Sequence, residues 1–173
     1  IFLALWASAH YGTALGAPLV LVCIGFALLP DLDGPIAFAL RGVIDGRHRD
    51  LSHFPLLYLA VGAGVWPVFG GTWATLFLAG TMFHFAHDSV GIGYGVKWLW
   101  PFSVRAHKWF AREDAWWTLR RFHVSWSPAE LREVTKKYEG QNWIRYCLPV
   151  TWLGTAEFLP FLIALICLWF WLA

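Results

Sequence analysis

Three short segments of this chain hold the residue types that bind metal ions or move protons. LLPDLDG carries Asp31 and Asp33 two residues apart, HRDLSH carries His48 and His53 five apart, and HFAHD carries His84 and Asp88 four apart. Positions i and i+4 share one face of a helix, so His84 and Asp88 can grip the same ion. Neutral imidazole with carboxylate suits zinc, manganese or iron. Each residue alone has a plainer use. Asp31 or Asp33 could cap a helix, His84 could be a core histidine bonded to a carbonyl, and Arg47 and Arg49 could be ordinary charges flanking a membrane segment. His87, three residues after His84, reads as a group that orients a ligand, and His48 reads the same way.

The elements that must position these residues are apolar. Of 173 residues, 58% are hydrophobic and 14% charged, against about 25% charged in a soluble domain. Ile1 to Pro30 and Leu51 to His87 hold no Asp, Glu, Lys or Arg, and after Arg145 only Glu157 is charged. These stretches of 30, 37 and 28 residues each reach the ~20 that cross a bilayer core. Disordered, collagenous and disulfide-scaffold classes are excluded. As one helix, the 37-residue stretch would run ~55 Å, nearly twice the hydrocarbon thickness. It must fold back, and Gly70-Gly71 after Pro67 is the turn. The hairpin returns His84 and Asp88 to the end where Asp31, Asp33, His48 and His53 lie, so scattered polar residues converge on one membrane face.

The expected fold class is therefore all-α: a polytopic membrane bundle of about four to five segments, with a cytoplasmic-face insert containing at least one short helix. Residues 1–173 form one membrane-embedded domain. Residues 1–103 are its metal-site core, 104–145 a basic, aromatic-rich interfacial insert, and 146–173 a C-terminal transmembrane helix. Gly12, Gly16 and Pro18 bend the first stretch. Ser127-Pro128-Ala129-Glu130 is a capping box with proline at the first helical position, which predicts a helix from about Pro128 to Glu139 before Gly140.

Ten of the thirteen basic residues lie between Lys97 and Arg145, against five acids, which faces this region to the cytoplasm. Trp98 to Trp126 interleaves tryptophans with arginines and makes no clean amphipathic helix. Such a mixture suits single-stranded nucleic acid, but in so apolar a chain it fits a lid at the headgroup level, with membrane lipids as partner and no nucleic acid. Cys23, Cys147 and Cys167 are far apart in apolar surroundings and read as packing residues.

The succession PDLD, HR-x-x-SH, H-x-x-x-D and LWPFS resembles the YdjM-like membrane-bound metal-dependent hydrolases, whose pattern reads PDxD, HRGxTHS, HxxxD and a WPF segment. The resemblance covers roughly Ser8 to Ser103. Asp50 and Phe54 stand where that family has glycine and serine. More remotely, the order of ligand types is similar to zinc-dependent phospholipase C. Together these resemblances imply His10, Asp31, Asp33, His53, His84 and Asp88 as ligands of one or two divalent ions, zinc before manganese or iron. They imply an integral protein of a bacterial or archaeal cytoplasmic membrane, its site facing the cytoplasm. The function expected is metal-dependent hydrolysis of a phosphoester or phospholipid. Arg47 and Arg49 would hold phosphate oxygens, and Asp31 or Asp50 would act as base. A metal or proton transporter is the competing class, and a scaffold with a structural metal the third. A transporter would spread ionisable residues through the membrane depth, whereas these cluster at one face.

Overall fold

The computed structural model describes residues 1–41, 52–90, 94–112, 119–138 and 152–172. The chain is mostly helical. Helix α1 (Phe2–Tyr11) ends at Gly12, whose φ of 64° is left-handed, and α2 (Ala17–Leu28) starts with proline in its first turn. A 3-10 turn (Leu29–Leu32) leads into α3 (Asp33–Arg41). After the segment 42–51 come α4 (Pro55–Phe69) and α5 (Gly71–Val90), then strands β1 (Ala106–Arg112) and β2 (Leu119–Trp126), α6 (Pro128–Tyr138) and α7 (Trp152–Leu172).

The predicted hairpin is present. Gly70 has φ 86° and ψ 168°, a region open essentially to glycine alone, and it reverses the chain between α4 and α5. The two helices approach closely because Gly62 has no side chain: a Cβ there would collide with Leu78. On the other side of α5, Gly80 admits α2, since a Cβ on it would stand 3.0 Å from that of Phe26. Helix α2 runs alongside α5 in the same direction, with Leu19, Val20 and Cys23 in one cluster with Leu76, and Phe26 edge-on to Phe77. Ala4 and Ala7 of α1 complete that cluster, and Leu168 of α7 packs on it. A second cluster, Tyr58, Phe77, Phe85 and Val96, joins α4, α5 and the segment after α5.

The outer surface is apolar. Leu21, Ile36, Phe38, Leu40, Val61, Trp66, Phe69, Phe83, Ile166, Trp169 and Phe170 are all exposed on helices, far beyond the scattered apolar contacts of a soluble surface. Among the described residues, Ala17–Leu40 is the one helical run both long and apolar enough to cross a membrane. Helix α4, at 15 residues, is shorter than a full span, and α5 carries its ionisable residues, His84, His87 and Asp88, toward one end.

The insert differs from expectation in one respect. Besides the helix, which spans Pro128–Tyr138 with Ser127 and Glu130 bonded reciprocally as a capping box, it holds an antiparallel hairpin. Ala106 pairs with Trp126 and Trp109 with His123. The chain as a whole remains consistent with the all-α expectation, and among the described residues the two strands are confined to this insert. Tryptophan and arginine form no clean helical face here because a strand repeats every two residues, so Arg105, His107 and Trp109 share one face. His107 Nδ1 lies 3.1 Å from His123 Nε2 with the rings stacked. Val96 pairs with His107 through both backbone bonds, an approach allowed because a Cβ on Gly95 would strike the His107 carbonyl.

Candidate metal centre

Four segments deliver the site. The 3-10 turn at the end of α2 presents Asp31, the first turn of α3 presents Asp33, the residue pair before α4 presents His53, and the last two turns of α5 present His84 and Asp88. Ser52 ties the histidine segment to the acidic one by donating its hydroxyl to the Pro30 carbonyl. Because α2 and α5 point the same way and α4 points back, all four segments end together.

His53 is the centre of the cluster. Its Nε2 stands 3.6 Å from Asp31 Oδ1, 3.3 Å from Asp88 Oδ2 and 3.3 Å from His84 Nε2. His84 Nε2 is 3.6 Å from both Asp31 Oδ1 and Asp88 Oδ2. Two metal–ligand bonds of ~2.0 to 2.2 Å opened to the tetrahedral angle hold their donor atoms ~3.3 to 3.6 Å apart. The observed spacings match those edges, and Asp31, His53 and His84 form a group whose donor atoms converge as ligands do.

The opposite edge of the His53 ring meets Asp33, with Nδ1 3.1 Å from Oδ2. A histidine ligand ordinarily gives its second N–H to a carboxylate, which fixes the tautomer and aims the free nitrogen. Asp33 is in that place, on the far side of the ring from the converging atoms. Its other oxygen, Oδ1, is buried and has no hydrogen-bond partner among the described residues. Exposure is one-sided: the side chains of His53, Asp33, Asp88 and His84 are 1, 2, 7 and 10% exposed, that of Asp31 49%.

The sequence-derived residues are thus distributed unevenly. Asp31, Asp33, His53, His84 and Asp88 come together. His87 is exposed, with Nδ1 3.8 Å from Asp88 Oδ1, on the carboxylate oxygen turned away from His53. His10 is exposed, stacked on Trp6 at the end of α1. It precedes α2, whose 12 residues rise about 18 Å before reaching Asp31, and the bend at Gly12 to Gly16 leaves it at the opposite end. His48, Asp50, Arg47 and Arg49 lie outside the described residues.

Sequence reasoning passed over the supports. Phe85 is fully buried and sets its ring edge-on to both imidazoles, at 5.9 Å from His53 and 5.8 Å from His84. Ser89, also fully buried, and Trp98 belong to the same scaffold. Their signal was adjacency, since Phe85 and Ser89 each directly follow a candidate ligand.

A largely helical chain with an apolar exterior and a buried aspartate–histidine cluster at the joined ends of its helices is a membrane protein by class. The chain belongs to the YdjM inner membrane protein family, whose family model matches residues 1–172. No curated protein and no solved structure matches it.

Proposed function

We propose that this is a polytopic, membrane-embedded metal-dependent hydrolase of phosphoesters, with a phospholipid as substrate class. The observation that carries it is the set of 3.3 to 3.6 Å separations among Asp31, His53, His84 and Asp88. Five ionisable groups in apolar surroundings are costly unless paired or metal-bound. Two imidazoles and two carboxylates fit a divalent ion, zinc first. When bound, such an ion polarises a phosphoryl oxygen and brings the pKa of its water to about 7.

The residues of the chain do the rest. Asp33 accepts from His53 Nδ1 and keeps Nε2 turned inward. Phe85 and the aromatic residues around it exclude water from the buried side, which strengthens every electrostatic contact. Asp31, half exposed, marks the side from which a substrate approaches and is the one ligand whose carboxylate can also meet that substrate. The apolar outer faces of α2 to α5 suit lateral arrival from the acyl region, and the basic insert suits anionic headgroups on the cytoplasmic side.

The test is elemental analysis of the purified protein together with His84→Ala. About one equivalent of zinc, lost in the variant, and phosphoester hydrolysis lost with it are expected. Metal content unaffected by the substitution would reject the assignment. A transporter would instead move the ion across vesicles without hydrolysing anything.

A further inference from the structure

Two residues of the cluster, His53 and Asp88, are each followed by a residue that a tryptophan from the segment after α5 touches. Phe54 follows His53, and the Trp100 ring stacks on it with centroids 4.4 Å apart and planes 24° from parallel. Ser89 follows Asp88, and its hydroxyl accepts the Trp98 indole N–H at 2.7 Å. The Ser89 hydroxyl in turn donates to the Phe85 carbonyl at 2.7 Å, one helical turn back. Phe85 is the residue whose ring braces both imidazoles. Trp98 is itself braced edge-on by Trp109 of the hairpin at 5.6 Å.

We propose that the Trp98–Trp100 segment is a positioning clamp for the metal ligands: Trp98 acts through Ser89 on the Phe85–Asp88 turn, and Trp100 acts through Phe54 on His53. The inference rests on the metal-binding reading above. Neither tryptophan is among the converging donors. Their effect is on direction: a ligand set performs only when its side chains are held to about half an ångström by packing and hydrogen bonds behind them. Ser89 is fully buried, so its acceptor lone pair has no water to replace the indole, and Trp98 also packs against the cluster formed by Tyr58, Phe77, Phe85 and Val96. The clamp links two pieces of chain that share no helix, the turn before α4 and the end of α5. It therefore controls their separation, on which the 3.3 Å between His53 Nε2 and Asp88 Oδ2 depends.

The experiment measures zinc affinity of the full chain in detergent by competition with a chromophoric chelator, and the visible spectrum of the cobalt-loaded protein. Trp98→Phe keeps the ring and removes the donor, Ser89→Ala removes the acceptor, and Trp100→Leu unstacks Phe54. Each should weaken zinc binding about 10- to 100-fold, the usual cost of losing a group behind a ligand, and should shift the cobalt bands. The Trp98→Phe/Ser89→Ala double variant should lose no more than Ser89→Ala alone, because the Trp98–Ser89 bond is already gone in that single variant. Ser89→Thr, which retains the hydroxyl, should restore affinity. Trp73→Phe, a partly exposed tryptophan early in α5, should leave affinity and spectrum unchanged. Affinities within twofold of wild type in Trp98→Phe and Trp100→Leu, with unshifted cobalt bands, would overturn the clamp while leaving the metal site intact. A wild-type chain that binds no zinc would overturn both.

Discussion

Under the proposed metal-binding reading, Asp33→Asn is the substitution that separates His53 as a ligand from the group that aims it. Asp33 Oδ2 lies 3.1 Å from His53 Nδ1, and both side chains are at most 2% exposed, so the contact is an unscreened hydrogen bond to a charged acceptor. Such bonds contribute about 1.5 to 3 kcal/mol net, against about 1 kcal/mol for neutral ones. Asparagine can still offer its amide oxygen to Nδ1, so what is lost is the charge-dependent half, about 1 to 1.5 kcal/mol. At 1.36 kcal/mol per factor of ten, that is a 5- to 15-fold weaker hold on zinc. Stoichiometry should stay near that of wild type. His84→Ala, by contrast, deletes a converging donor and should abolish binding. Titration against a chromophoric chelator, with elemental analysis of the same samples, reads both quantities. An Asp33→Asn affinity equal to wild type would refute the orienting role. Complete loss of metal, matching His84→Ala, would refute it the other way by making Asp33 a ligand.

Other expectations follow from packing and charge. Gly62→Leu drives a side chain into Leu78 at the α4–α5 contact and should cost about 1 to 3 kcal/mol, seen as a lower thermal midpoint in detergent accompanied by loss of metal. Gly70→Ala strains the turn at φ 86° by about 1 to 3 kcal/mol, with the same readout but a site that still binds once folded. In the β-hairpin, burial, His123 and Arg105 all hold the His107 pKa below the ordinary imidazole value. The unfolded chain therefore binds the proton more readily, and hairpin stability should be full above about pH 6.5 and fall as pH drops below it. Tryptophan fluorescence from Trp109 against pH checks this, and His107→Gln should flatten the profile.

Much of the site was legible because its residues sit at the ends of uninterrupted apolar runs. The absence of charge from Leu51 to His87, with one glycine pair inside it, leaves no alternative to a hairpin, and the hairpin alone brings His84 back to His53. The capping box at Ser127 was legible for a similar reason, being complete within four residues. Three things were not. Asp31 and Asp33 are identical in type and two residues apart, and only the His53 ring orientation gives them different places. His10 entered through resemblance, but a glycine-rich bend carries no distance, and the direction of α1 relative to α2 decides its position. The β-hairpin was hidden because tryptophan, arginine and histidine alternate without an apolar stripe, and because its pairing with Val96 depends on Gly95 accepting the His107 carbonyl.

The one-sided exposure of the cluster separates how tightly an ion is held from how fast it comes and goes. Among the described residues, His53, Asp88 and His84 are buried and Asp31 is half open, so under the proposed reading an ion would meet Asp31 first on the way in and leave it last on the way out. Exchange of that ion would then depend on the swing of the Asp31 carboxylate, while its affinity would be shared with the groups behind it. Shortening that carboxylate's reach would change residence time more than its share of the affinity, so a chelator would strip the ion at a rate governed by the outermost donor.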